Sequence, residues 1–381
     1  MKKWQNSIMP QSERNVSWIE LFYDLIFVAA AHQLTLMLVG AGSFFDSMTS
    51  LLLFIPLIWC WMSHTLFTNF FSDRSWFYHF MTFLTILGTV TLVILMPTAL
   101  TTHSTWFAYA YVFIKVILVI QYIIWSFLQI HRLLDMLPII IGNIGSGLLW
   151  GLSILSPVPQ VWWVIAMLID VLTPAFTKTK NVAQNMNPHH LPERMGLLTV
   201  IVLGEMIISL VISAFALPLT KEVILVLAAG IAITFLIFWT YFRFIDQAII
   251  GYDKSTSRIY FYSHLPMVLG LICVAAGYQG ILGGKNVSFL LIFGFTLFTL
   301  SQRMMRYVQD QRFLKRQLVL VALLLPILTW YYFFAAGALI NLAVLTASFA
   351  VYLIVAEFIL GWENYSAGNA PNNRVRWGND K

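Results

Sequence analysis

The chain has 381 residues, 60% of them hydrophobic and only 10% charged, with a mean hydropathy of +0.81; soluble domains carry about 25% charged residues, so a water-soluble globular fold is excluded. The formal net charge of +6 does not point to nucleic acid, because the basic residues are scattered over short connections and tails, with no basic and aromatic module to hold a phosphate backbone. Both cysteines, Cys60 and Cys273, fall inside apolar runs and read as buried thiols.

The opening MKKWQNSIMPQSERN is polar and lacks an apolar h-region and a small-residue cleavage site, so the first span is expected to be the targeting element. Crossing about 30 Å of hydrocarbon takes about 20 apolar helical residues. Twelve stretches of that kind follow in order: 18–39, 48–70, 77–100, 105–128, 136–155, 160–177, 195–217, 222–245, 259–282, 286–302, 316–336 and 338–361. Turn signals separate them, among them Gly40, Gly42, Pro157, Pro159, Gly283, Gly284 and Gly337. With the N-terminus placed in the cytoplasm, 19 of the 22 Lys and Arg residues fall on the inner side. Only Lys221 and Lys285 fall outside, and Lys115 lies within span four. That asymmetry favours twelve spans with both termini cytoplasmic.

The expected fold is therefore an all-α polytopic membrane protein of about 12 transmembrane helices. It is organised as a tail (1–17), a first six-helix half (18–177), a cytoplasmic connecting loop (178–194), a second six-helix half (195–361) and a polar tail (362–381). Polar residues recur at offsets of 173, 185 and 187, pairing Glu20 with Glu193, His32 with Glu205, His79 with His264 and Asp170 with Glu357. Six spans per half would make this a parallel repeat, an arrangement found in transporters.

Ionisable groups within a bilayer are costly and default to function. Ser17 and Glu20 have capping-box spacing, so Glu20 can be a helix-start device as well as a site residue. Asp24 lies one turn deeper and His32 eight residues beyond it, and the three share one broad stripe over roughly 18 Å of depth. Such a stripe is expected to face the bundle interior. In HHLPERMGLLTVIVLGEMIISL, residues 189–210, Pro192 and Glu193 suit a first helical turn, and Arg194 follows them. Glu205 is roughly 18 Å further along, near mid-bilayer, beside Gly204. Weaker candidates are Lys115, expected to pair with a buried acid, then Asp170, His190, His264 and Glu357. His189 and His190 lack the further ligands that zinc requires, and no nucleotide-binding motif is present. No metal or cofactor is expected.

The segments VSWIELFYDLIFVAAAHQLT and HLPERMGLLTVIVLGEMIISL resemble the signature segments of the bacterial low temperature requirement protein A family. The first follows a W-x-E-L-F-[FY]-D-L-[IV]-F-V pattern, and the second opens H-L-x-E-R-x-G-L and reaches L-G-E at residues 203–205. The matching positions are Trp18, Glu20, Asp24, His190, Glu193, Arg194, Gly196, Gly204 and Glu205. After span two the family shows an N-R-F-D-T-D-D-like run; here TNFFSDR keeps Asn69 and Asp73 but loses the acidic pair. The resemblance covers roughly residues 14–361 and implies an integral membrane protein linked by name to growth in the cold. It implies no defined reaction.

The residues favour a proton- or cation-coupled secondary transporter or ion pathway in a bacterial cell membrane. Glu205 and Asp24 would be the protonation or cation sites, His32 a relay, and Glu20, Glu193 and Arg194 an inner gate. Two alternatives stand beside it: an accessory membrane protein for growth in the cold, and an intramembrane enzyme acting on lipid. Expected partners are membrane lipids and protons or a small ion or solute, with no nucleic acid. The sequence gives no oligomeric state.

Overall fold

A computed structural model describes residues 16–71, 75–128, 133–176, 190–247, 254–285, 287–309 and 338–366. Among them the chain forms eleven α-helices and a short 3-10 turn at Met96–Thr98, with no strand. The helices are α1 (Trp18–Gly40), α2 (Phe44–Phe70), α3 (Trp76–Leu95), α4 (Ser104–Leu128), α5 (Leu133–Ser153), α6 (Pro159–Phe176), α7 (His190–Phe215), α8 (Lys221–Gln247), α9 (Lys254–Leu282), α10 (Ser288–Gln309) and α11 (Ala338–Ser366). Nine described helices contain segments long and apolar enough to cross a membrane; α6 and α11 contribute shorter apolar segments. The chain is a multi-pass membrane protein.

These helices coincide with ten of the first ten expected spans and with the last. The expected span 316–336 lies outside the described residues, as do most of the N-terminal tail and residues 367–381 of the C-terminal one. Two boundaries differ instructively. Helix α2 starts at Phe44 rather than 48, because the Ser43 hydroxyl caps it by accepting the Asp46 N–H at 3.1 Å. Helix α7 starts at His190, so residues 190–194 belong to a helix and not to the connecting loop expected over 178–194, the rest of which, through 189, lies outside the described residues. A hydropathy reading loses that turn because Glu193 and Arg194 interrupt the apolar run. Pro192 does not stop the helix, since first-turn N–H groups have no intrahelical acceptor in any case.

Two compact units are present, Met1–Leu198 and Thr199–Lys381. The first holds α1 to α6 and the start of α7. Within it α5 packs between α4 and α6, α4 against α3, and α1 against α2 and α3. Helix α2 is its axis: every residue from Pro56 to Phe71 is buried, as expected of a helix apolar on all sides.

In the second unit α9 packs along α10, and α8 and α9 meet α11. The turn joining α9 to α10 uses Gly284 at φ +78°, a conformation open to glycine without steric cost. Above it the two backbones touch. A Cβ built on Gly294 would stand 2.5 Å from the Gly270 carbonyl oxygen, and one on Gly270 would stand 2.7 Å from that of Gly294. Small residues allow this close approach in bilayers, where packing and not hydrophobicity drives helix association. Gly294→Ala is expected to lower stability by about 1–3 kcal/mol through overpacking; unfolding midpoints in nanodiscs equal to wild type would show that the pair can separate freely.

Candidate functional site

The first turns of α1 and α7 meet inside the first unit. Glu20 is buried and receives three donors. The Ser17 backbone N–H reaches Oε2 at 2.9 Å, the Tyr78 hydroxyl of α3 reaches Oε1 at 3.1 Å, and His190 Nε2 lies 3.3 Å from Oε2. The helix-start role of Glu20 is thus real, and it coexists with a tertiary one. One turn deeper, Asp24 accepts from Trp61 Nε1 at 2.7 Å and from Arg194 Nη1 at 2.9 Å. Arg194 is 0% exposed, also reaches Thr65 Oγ1 at 3.5 Å, and lies 5.3 Å from the centroid of the Trp61 ring. Two carboxylates of one span are therefore faced by an imidazole and a guanidinium from a helix 170 residues away.

The chemistry of the two pairs differs. Arginine stays charged, so Asp24–Arg194 is a fixed, neutral ion pair. In the Glu20–His190 pair the basic partner is an imidazole, a residue type that can gain or lose a proton where arginine cannot. Glu193 is half-buried on the same turn. His32 is half-buried too, and lies beside the buried stripe of α1, which runs Glu20, Tyr23, Asp24, Phe27, Ala31 and Leu34. Eight residues beyond Asp24 is about 80° around the helix, which sets half-buried His32 at the edge of that stripe.

A second buried cluster ties α4, α5 and α6. Lys115 Nζ donates to Asp170 Oδ1 at 2.7 Å and to Asn143 Oδ1 at 2.9 Å. The Tyr111 and Ser146 hydroxyls each donate to Asp170 Oδ2 at 2.7 Å. Gly147 of α5 faces the Lys115 stem, and a Cβ added there would lie at ordinary contact distance, 3.5 Å, from Lys115 Cβ. The Tyr111 ring stacks on Trp150, and Trp150 on Trp163, which closes the cluster with aromatic surface. The partner of Lys115 is thus Asp170.

In the second unit Glu205 is 0% exposed on α7 and accepts from Ser209 Oγ at 3.1 Å; the same hydroxyl lies 3.4 Å from Gln279 Oε1 of α9. His264 is held at both ring nitrogens, Nε2 by the Tyr241 hydroxyl at 2.8 Å and Nδ1 by the Tyr260 carbonyl at 2.6 Å. The side chain of Glu357 lies outside the described residues.

Sequence reasoning missed the residues that complete these sites: Trp61, His64 and Thr65 on α2, Tyr78 on α3, and Tyr111, Asn143 and Ser146 around Asp170. His64 was the one with a readable signal. An imidazole in mid-span deserves the functional default given to the carboxylates, yet the run CWMSHTLF carries no acidic residue to draw attention to it.

Comparison with known proteins agrees with this layout. The uncharacterized protein RA0937 of Rhizobium meliloti (strain 1021) is 25% identical over 379 residues, which cover 91% of this chain and 86% of that protein. Residues 15–357, from just before α1 to the last turns of α11, match the family described as bacterial low temperature requirement A protein, LtrA. With nearly its whole length matched, including both helices that carry the paired acids and bases, the chain belongs to the LtrA family.

Proposed function

We propose that the protein is a proton- or cation-coupled secondary transporter, or an ion pathway, of a bacterial plasma membrane. The observation that carries this reading is the Glu20–His190 pair. It is a carboxylate and an imidazole 3.3 Å apart, buried in a membrane-spanning unit and set one turn from the fixed Asp24–Arg194 ion pair. The fixed pair offsets the cost of the site, and the titratable pair is left to take up and release a proton. Glu205 supplies a second deep carboxylate further along α7. The reading keeps twelve spans, cytoplasmic termini and a parallel six-helix repeat. In support of the repeat, His79 of α3 and His264 of α9 use one local device, each directing Nδ1 at the carbonyl four residues back, at 2.8 and 2.6 Å.

The test is proton flux into proteoliposomes loaded with a pH dye, under an imposed potential and across a panel of cations. Wild type is expected to conduct, and Glu20→Gln and Glu205→Gln to lower the rate by about tenfold or more, equivalent to ~1.4 kcal/mol of barrier. The alternative, an accessory membrane protein without transport, is favoured by the complete hydrogen bonding of Asp170. It expects no flux from folded wild type and tolerance of both substitutions.

A further inference from the structure

The buried side chains of the first unit whose polar atoms no described residue satisfies include three on the packed helices α2, α3 and α4. The atoms are both ring nitrogens of His64, Oγ1 of Thr82, and both amide heteroatoms of Gln121. Their residues are 1%, 0% and 0% exposed. A dry interior would penalise each orphaned group by about 1–3 kcal/mol, so five such atoms on three packed helices call for an occupant.

The three belong to α2, α3 and α4, and contacts among these helices bring them to one level. Trp125 of α4 packs on Phe77 and Tyr78 of α3, at 5.8 and 6.2 Å between ring centroids. Ile114 of α4 packs against Gly88 of α3. This antiparallel register sets Gln121 opposite Thr82. On α2, Phe67 meets Tyr122 and Trp125 at 5.2 and 5.7 Å, and Cys60 lies within electrostatic reach of Lys115. His64, between Cys60 and Phe67, therefore stands beside the turn of α4 that carries Gln121. Helix α3 turns Tyr78, Thr82, Thr85 and Thr89 to one side. Tyr78 reaches Glu20, and Thr89 reaches the Tyr23 hydroxyl at 3.2 Å, while the Tyr23 ring lies 4.9 Å from His64. Thr85 and Thr89 spend their hydroxyls on carbonyls four residues back; Thr82 does not.

We propose that His64, Thr82 and Gln121 wall an internal polar chamber that holds a small cluster of water, and that this cluster carries protons onward from Glu20. The donor set identifies the occupant. A neutral imidazole, a hydroxyl and a carboxamide each both donate and accept, and carry no charge. The charged groups nearby are already neutralised in pairs, Asp24 with Arg194 and Lys115 with Asp170. An uncharged molecule that gives and takes hydrogen bonds fits, and interior water uses two to four such partners. In the transfer step, the proton shared by Glu20 and His190 passes to the cluster, which releases another to a ring nitrogen of His64. No other bond changes. The chamber stands on geometry alone; its role rests on the proton-pathway reading above.

The test uses the full chain in lipid bilayers with 15N-labelled histidine and solid-state NMR edited for polarisation transferred from water. His64→Gln assigns the His64 resonances. They are expected to build up as quickly as those of His103, which sits half-buried in the connection between α3 and α4. His264, bonded to protein at both nitrogens, sets the slow limit. Build-up of His64 as slow as that of His264 would overturn the chamber. Gln121→Leu, read in the liposome assay, is expected to slow proton flux by about tenfold. A wet His64 in a protein that carries no protons retains the chamber and removes its role, and so does wild-type flux in Gln121→Leu.

Discussion

Arg194→Leu is expected to destabilise the protein by about 3–5 kcal/mol, because it strands Asp24 as an unpaired charge in the interior. The Trp61 N–H that remains on Oδ1 cannot neutralise a carboxylate, and no water-exposed route is open to a side chain 2% exposed. Asp24→Leu should be damaging for the converse reason, since it leaves a fully buried guanidinium without its carboxylate, held by the long contact to Thr65 and the Trp61 ring. The double variant removes both charges and is expected to recover a large part of the loss, a coupling that a double-mutant cycle measures directly. Unfolding in nanodiscs reads all four proteins. Additive losses would mean that the 2.9 Å pair contributes nothing as a pair.

Asp170→Leu is expected to cost as much, about 3–5 kcal/mol, for a different balance of reasons. The substitution strands Lys115 and also orphans the Tyr111 and Ser146 hydroxyls, both buried. Asp170→Asn keeps the shape and most of the hydrogen bonds while removing the counter-charge, so the difference between the two variants separates charge from geometry. Lysine retains an escape that arginine lacks: it can lose its proton when buried. Asp170→Asn is therefore expected to be milder than Asp24→Leu, which strands an arginine. Equal damage from Asp170→Asn and Asp170→Leu would assign the whole cost to the charge.

Much of this architecture is legible in the chain because a bilayer imposes a strict code. About 20 apolar residues per crossing must stand out from polar turns, and ten consecutive helices fall where hydropathy puts them. The code is weakest where function concentrates. Glu193 and Arg194 broke the apolar run and concealed the first turn of α7, the very turn that meets α1. Glu20 and Asp24 announced themselves by their charge, but their partners could not be deduced, since nothing in local sequence links positions 170 residues apart. Tyr78, Trp61, Asn143 and Ser146 carry no charge, and in a chain with 14 tryptophans and 15 tyrosines, the ones that donate to a carboxylate are revealed only by packing.

The 170-residue separation also sets an order of events during synthesis. At about 5–20 residues per second, the ribosome needs roughly 10–30 s after making Glu20 and Asp24 before His190 and Arg194 exist. For that interval the nascent first span holds two acids with no base to meet them. Trp61 and Tyr78 emerge much sooner and can hydrogen-bond the carboxylates, so the early hairpins act as a temporary scaffold for the charge. The seventh helix then completes the site as it enters, and a ribosome stalled before residue 190 would leave the first span acidic and easily extracted from the membrane.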